Sequence, residues 1–376
     1  MDIAATEDQR LLQETTRRFL EKRSPIGALR RLVDDAAGFD RAIWRQGAEL
    51  GWLSLFVPED HGGMAESGQG VVDAAIIAEE LGRVVFAGPF LPVNVVASAV
   101  AAAGSEAQRQ ALLPGLAAGE LVAAWCFAGP GASSGVEPSG VRATRSAGGS
   151  FVLQGAASYV QDAQVADHLL VTAVGDEGVS QFLIPATTPG VTIIPLETLD
   201  LGRSLAEVRF DDVRLADDTL VGAPGGAAAQ VERQLQIALA LQCAETVGVV
   251  DRTLEFTLDY ARDRVAFGRP IGSFQALKHR FADHATWLEG AKAAAAYAAR
   301  AAQDAAADAA IAVSVAKSHG GRSATETIRD CLQIHGGIGM TYDHDLHFYL
   351  RRAVSNEALW GTPAAHQERL CVLAGL

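Results

Sequence analysis

Three features of the sequence predict a mostly α protein with a β insert: an N-terminal helical domain, a central small β-barrel or sandwich, and a C-terminal four-helix bundle. Apolar residues recur at helical spacing through the first third of the chain. The pattern then breaks into short apolar runs bounded by Gly, Ser and Pro, which is how short strands read. After a glycine-rich link, Gly222 to Gly226, helical spacing returns and holds to the C-terminus. The expected domains are therefore residues 1–120, 121–222 and 223–376.

Each element has its own signal. Thr6-Glu7-Asp8-Gln9 fits a capping box, and Leu11, Leu12, Thr15, Phe19 and Leu20 follow at helical spacing. A second helix is expected from Phe39 to Gly51, a third over Val71 to Arg83 and a short one over Ser105 to Leu116. Pro58, Gly62 and Gly63 make the intervening segment a turn, with His61 as a solvated loop histidine. Glu79 and Glu80 are expected on a solvated helix face. Strands are expected at Leu121 to Phe127, Phe151 to Leu153, His168 to Val174, Gln181 to Ile184, Val191 to Ile194 and Glu207 to Phe210. Four long helices follow: Val231 to Ala261, Gln275 to Ala306, Ala309 to Ile334 and Phe348 to Trp360. Their short connections imply an up-down bundle. The small side chains around Ala291 to Ala310 allow close helix–helix approach.

The chain has 376 residues, 49% hydrophobic and 20% charged, an ordinary globular balance. Its net charge of −14 argues against a general nucleic-acid surface, although local basic sites for a phosphorylated ligand remain compatible. Cys126, Cys243, Cys331 and Cys371 are scattered, with no spacing for a zinc site or disulfide frame, so no metal is expected and a reducing, cytoplasmic setting fits. The first residues lack the blocks of a signal peptide. The apolar runs at Leu235 to Val250 and Ala293 to Val315 are too interrupted to span a membrane.

The chemistry-bearing stretch is Tyr260 to Gln275. Arg262, Arg264 and Arg269 surround Phe267 next to a Gly/Pro break. Arg offers planar, bidentate hydrogen bonds to phosphate, and the aromatic offers stacking area. From composition alone, a charged helix end with a buried Phe is the plainer reading. The order Arg264-x-x-Phe267-Gly268-x-x-Ile271-x-x-Phe274-Gln275 resembles the signature of the acyl-CoA dehydrogenase family. Gln333-Ile334-His335-Gly336-Gly337 resembles that family's Gln-x-x-Gly-Gly segment, and the overall order of helices, strands and bundle resembles its architecture. The resemblance implies FAD as cofactor. Arg264, Phe267, Gln275, Gln333, Gly336 and Gly337 would contact its adenosine diphosphate half, held mainly by a neighbouring subunit.

The flavin-ring side resembles the family less. The family's Thr-Glu pair before Pro is Ala128-Gly129 here, while Pro130 and Ser134 remain. Tyr159 stands where the family has Trp, Gln161 where it has Thr, and Thr362 follows Gly361 as in the family. Ser134, Tyr159 and Thr362 are therefore expected at the cofactor. Desaturation of an acyl-CoA needs an ionised proton acceptor at the α-carbon. The family's usual Glu before Gly-Thr is Trp360 here, and indole has no useful basicity. A minority position for that Glu is Ala238. Glu245 lies two turns further on the same helical face and is the fallback; Glu357 would need a shifted helix. Ion-paired or surface roles are the plainer expectation for both.

These departures leave the catalytic residue unassigned. The resemblance implies FAD-dependent α,β-desaturation of an acyl-CoA, with the chain as a subunit of a mixed tetramer of the kind found in steroid side-chain degradation. A homologous partner would then supply the Glu, and an electron-transfer flavoprotein would accept the electrons. Standing beside it are a self-sufficient homo-oligomeric dehydrogenase using Glu245, a flavin monooxygenase or oxidase on the same fold, and a scaffolding member without flavin.

Overall fold

The computed structural model describes residues 5–33, 38–129, 138, 140–146 and 149–376. Helix α1 (Glu7–Arg23) begins on the expected capping box: the Thr6 hydroxyl accepts from the Gln9 amide at 3.2 Å, and the Gln9 side chain accepts from the Thr6 amide at 3.1 Å. After α2 (Ile26–Leu32) comes α3 (Arg41–Glu49), capped by Asp40. Next are α4 (Gly70–Arg83), α5 (Phe90–Ala103) and α6 (Glu106–Ala117), the last capped by Ser105 and Gln108. Helix α5 escapes sequence reading because it is apolar almost all round, so it has no stripe to detect; such helices belong in a core. It is buried from Phe90 through Ala97.

Two polar expectations fail in this domain. Glu80 is 1% exposed and pairs with Arg17 at 2.7 Å, because α1 covers that face of α4. His61 is packed rather than solvated, with Glu106 of α6 at 3.9 Å.

The strands are β1 (Ala123–Cys126), β2 (Val141–Arg145), β3 (Phe151–Gln161), β4 (His168–Gly175), β5 (Gly178–Pro185), β6 (Val191–Leu196), β7 (Leu205–Leu215) and β8 (Leu220–Val221). They form one eight-stranded sheet in the order β6-β7-β3-β2-β4-β5-β8, with β1 paired to β4. The central β region is thus present as expected, but it is an open sheet and the barrel form of the expectation is corrected. Among the described residues the sheet stays open, and β4 is parallel to both β1 and β2. Apolar runs reveal strands but not their partners, and β1 enters directly from the helical domain. Strand β3 changes register against β7 between Ala157 and Val160. At that irregularity Tyr159 takes a left-handed φ of 57°, which turns it out of the strand's alternation.

Helix α7 (Ala228–Asp263) runs the length of the C-terminal region. A two-strand hairpin, β9 (Val265–Ala266) and β10 (Arg269–Pro270), leads to α8 (Gln275–Gln303), α9 (Ala309–His335), α10 (Leu346–Ala358) and α11 (Pro363–Leu373). Helices α7, α8 and α9 pack on one another, and α10 closes against α7 and α9. Alanines 291, 295, 298, 299, 301 and 302 of α8 are buried, in keeping with close approach. The expected last helix, Phe348 to Trp360, ends at Ala358, and after a break at residues 359–362 a further helix, α11, follows that was not expected.

Helix α4 lies directly on α7. A Cβ on Gly82 would stand 2.1 Å from the Glu245 carbonyl, and one on Gly248 would stand 1.8 Å from that of Glu79. Only glycine permits such backbone contact, and the contact fixes where Glu245 sits. Among the described residues no helix is long and apolar enough to cross a membrane.

Candidate cofactor and acyl-CoA site

The break after α10 shapes the centre of the molecule. Trp360 holds a left-handed φ of 58° and Gly361 a φ of 102°. Such a backbone is strained for a bulky residue, by about 1–2 kcal/mol, and needs outside support. His366 bonds the Trp360 carbonyl at 3.0 Å. The buried Lys317 ammonium donates to the Leu359 carbonyl at 2.8 Å, to the Asn356 carbonyl and to Gln242. Burial pushes the Lys317 amine down to about 7. Thr362 then starts α11, its hydroxyl accepting from the Ala365 amide at 3.2 Å.

The Trp360 ring lies 6.0 Å from that of Trp125, which in turn stacks on Phe127 at 4.6 Å. These rings, with Ser158, Tyr159 and Thr362, wall a cavity of about 520 Å³. Its size and its flat aromatic sides suit a fused ring. Tyr159, 54% exposed, and Thr362 therefore meet at one place, beside the indole. Ser134 and Pro130 lie outside the described residues. Gln161, expected at the ring, does not line this cavity; it is buried and lines a smaller gap together with Arg203. Two carboxylates absent from the sequence reading also reach the cavity wall, Glu197 and Asp200. Glu197 is exposed and has no hydrogen bond or ion pair among the described residues.

Glu245 is held in a buried network. Arg352 bonds it at 2.6 Å and Asp200 at 2.5 Å; Arg203 bonds it at 2.6 Å; Asn356 donates to it at 3.0 Å. Burial alone would raise its pKa, but the two guanidiniums outweigh that and hold it at about 2. Both oxygens are occupied, and the gap left around the network is about 20 Å³. A general base works best with a pKa near the operating pH; this carboxylate is far below it. Glu357 is also committed, accepting from the Thr325 hydroxyl at 2.5 Å. Arg352 and Asn356 could have been noticed in the sequence: they lie on the same helical stripe as Tyr349 and Ala353, so that core-facing stripe carries a charge needing partners.

Because the Glu245 pKa is depressed, its contribution to stability is complete above about pH 4.5 and is lost as pH falls towards 2. It amounts to on the order of 3 kcal/mol. Glu245→Gln should therefore flatten the acid limb of a stability–pH curve measured by urea unfolding. An unchanged limb would mean that the carboxylate is not ion-paired.

The other predicted contacts lie elsewhere, and none of them lines the ring cavity. Phe267 and Gly268 form the two-residue turn of the β9–β10 hairpin, with φ of 53° and 76°. Phe267 is 96% exposed at its tip. Arg264 caps α7, and its carbonyl accepts from the Ile271 amide at 2.8 Å. Its guanidinium is exposed and unpartnered among the described residues. Gln275 starts α8 next to it. Tyr260 joins this junction to the end of α9: its ring stacks on His335 at 4.3 Å and its hydroxyl donates to the His335 carbonyl at 3.2 Å. Gln333, Gly336 and Gly337 sit at that end. An exposed ring, a free fork of donors and two glycines could hold a nucleotide's phosphates and base.

An α domain, a mixed sheet and a helical bundle meeting at an aromatic-walled cavity define an acyl-CoA dehydrogenase fold. The chain belongs to the acyl-CoA dehydrogenase family: its N-terminal domain profile matches residues 6–120 and its C-terminal domain profile residues 225–370. It is 32% identical to acyl-CoA dehydrogenase IpdE2 of Mycobacterium tuberculosis, over 97% of this chain and 96% of that one. Among solved structures, it resembles a chain of the ChsE4-ChsE5 complex from Mycobacterium tuberculosis, with TM-score 0.90, 28% identity and coverage of 100% and 99%. It also resembles a chain of a variant of the Tcur3481-Tcur3483 steroid ACAD, with TM-score 0.89, 29% identity and 98% of each chain covered. The family is FAD-dependent and oxidises acyl-CoA thioesters.

Proposed function

We propose that this chain is the base-lacking subunit of a mixed acyl-CoA dehydrogenase. Its Arg264, Phe267, Gln275, Gln333, Gly336 and Gly337 grip the adenosine diphosphate half of FAD, while a homologous partner supplies the carboxylate that takes the α-proton. Bound FAD supplies the acceptor for the β-hydrogen as hydride. The observation that carries the proposal is Trp360: an indole without basicity stands at the residue that the family resemblance assigns to the base, its backbone anchored by Lys317 and His366. Two further features support the proposal. Glu245 is fully engaged by Arg203 and Arg352. The likeness to chains of two-component complexes, one of them a steroid dehydrogenase, favours a bulky acyl-CoA such as a steroid thioester.

The test is co-expression with a candidate homologous subunit, followed by native mass, flavin-to-chain ratio and anaerobic flavin bleaching by acyl-CoA. A mixed oligomer with fewer flavins than chains is expected. Bleaching should survive Glu245→Gln and Glu197→Gln in this chain. One flavin per chain and full bleaching by this protein alone would overturn the proposal. Loss of that bleaching in Glu197→Gln would then identify the exposed rim carboxylate as the base of a self-sufficient enzyme.

A further inference from the structure

A second cavity, of about 360 Å³, shares no lining residue with the ring cavity. It lies between the loop after α3, the C-terminal half of α5 and the second turn of α7. Leu55, Phe56, Ala99 and Ile237 give it an apolar wall. Arg233 of α7 lines it, with Nη1 buried and without a hydrogen-bond partner. No ion pair reaches its guanidinium among the described residues. Its sequence neighbour Glu232 is committed elsewhere, to Arg369 at 2.5 Å and Gln236 at 3.0 Å. No Asp or Glu lines the cavity.

A partly buried cation with no counter-charge costs stability, so its persistence points to a missing anion. Burial also depresses the Arg233 pKa, with no opposing charge to restore it. Gln303 adds a donor: its carbonyl accepts from the Val71 amide at 2.7 Å, which leaves its NH₂ without a protein partner among the described residues. Gln230 and Gln234 are neutral and already bonded to the Ala99 carbonyl and to Gln181.

We propose that this cavity binds a small organic carboxylate, its charge on the Arg233 fork and its apolar body against the α5–α7 wall. One guanidinium and one amide match a single planar negative charge; a phosphoryl dianion would call for more donors. The volume, near the lower end for small-molecule sites, suits a body of roughly ten to twenty non-hydrogen atoms. A CoA thioester of the same acid has no carboxylate to offer Arg233, so the site distinguishes a free acid from its activated form. None of this rests on the base-lacking assignment.

The probe is octanoate, with octanol and octyl phosphate as comparators, followed by calorimetric titration and by the shift in melting temperature of the full chain. Octanoate should bind and stabilise, octanol should not, and octyl phosphate should bind more weakly. Arg233→Met should lower octanoate affinity at least tenfold. Ala101→Phe, which fills the groove without touching the charge, should do the same and serves if Arg233→Met misfolds. Tyr159→Ala, at the other cavity, should leave octanoate binding unchanged. The assignment is overturned if octanoate does not bind, if octanol or octyl phosphate equals it, or if Tyr159→Ala abolishes binding while Arg233→Met does not.

Discussion

Arg352→Met should destabilise the chain by about 3–5 kcal/mol, the range for removing one member of a buried ion network. Arg352 is 1% exposed and ties together three parts of the fold. From α10 it reaches Asp200 in the loop between β6 and β7, Glu245 on α7, and the carbonyls of Phe86 and Gly202 at 3.2 Å. Methionine fills much of the volume but leaves Asp200 without its guanidinium, Glu245 with Arg203 as its one remaining cation among the described residues, and two carbonyls without this donor. The loss should show as a lower urea midpoint with little change in slope. Adding Asp200→Asn to Arg352→Met should restore part of the stability, because the stranded carboxylate is then gone while Arg203 keeps Glu245 paired. A single variant within about 1 kcal/mol of the parent would show that the network is not the junction that the geometry implies.

The same network shows where sequence reading stops. The capped helices were legible because a cap is local: Thr6 with Gln9 lies within one turn. The long bundle helices were legible through their period. Sheet order was not, since β1 and β4 are separated by the whole of β2 and β3 and pair in parallel. An ion-paired role for Glu245 was among the plainer expectations, but its partners were not legible, because Arg203 and Arg352 lie far apart in the chain. The sequence places an indole at residue 360, but not the break that makes it a left-handed corner rather than the last turn of α10. Lys317, which anchors that corner, carries no local motif at all. The residues proposed to hold the nucleotide could be read as a set because Arg264, Phe267 and Gln275 fall within one short segment. Their separation from Tyr159 and Thr362 became visible only in the fold.

That separation makes Arg264 a sharp probe of the proposed base-lacking subunit. Arg264→Ala should weaken FAD retention in the mixed complex about a hundredfold while leaving this chain's own melting temperature nearly unchanged. Arg264 is exposed, and its side chain has no partner among the described residues, so its removal strands nothing. Substitutions of this kind cost about ±0.5 kcal/mol or less in stability. Against a diphosphate, a guanidinium fork makes two charge-assisted bonds worth roughly 1.5–3 kcal/mol each, and about 1.4 kcal/mol is tenfold in affinity. Arg264→Lys keeps the charge but loses the fork, so it should fall between the two. Phe267→Ala should also loosen the cofactor, since a ring that is 96% exposed on a strained turn contributes nothing to this chain's core. The measurement is flavin released through a desalting column or titrated back by fluorescence, with the complex kept intact by native mass. If Arg264→Ala and Phe267→Ala both hold FAD as tightly as the parent, this face does not grip the cofactor. The exposed hairpin would then be a contact between subunits and nothing more.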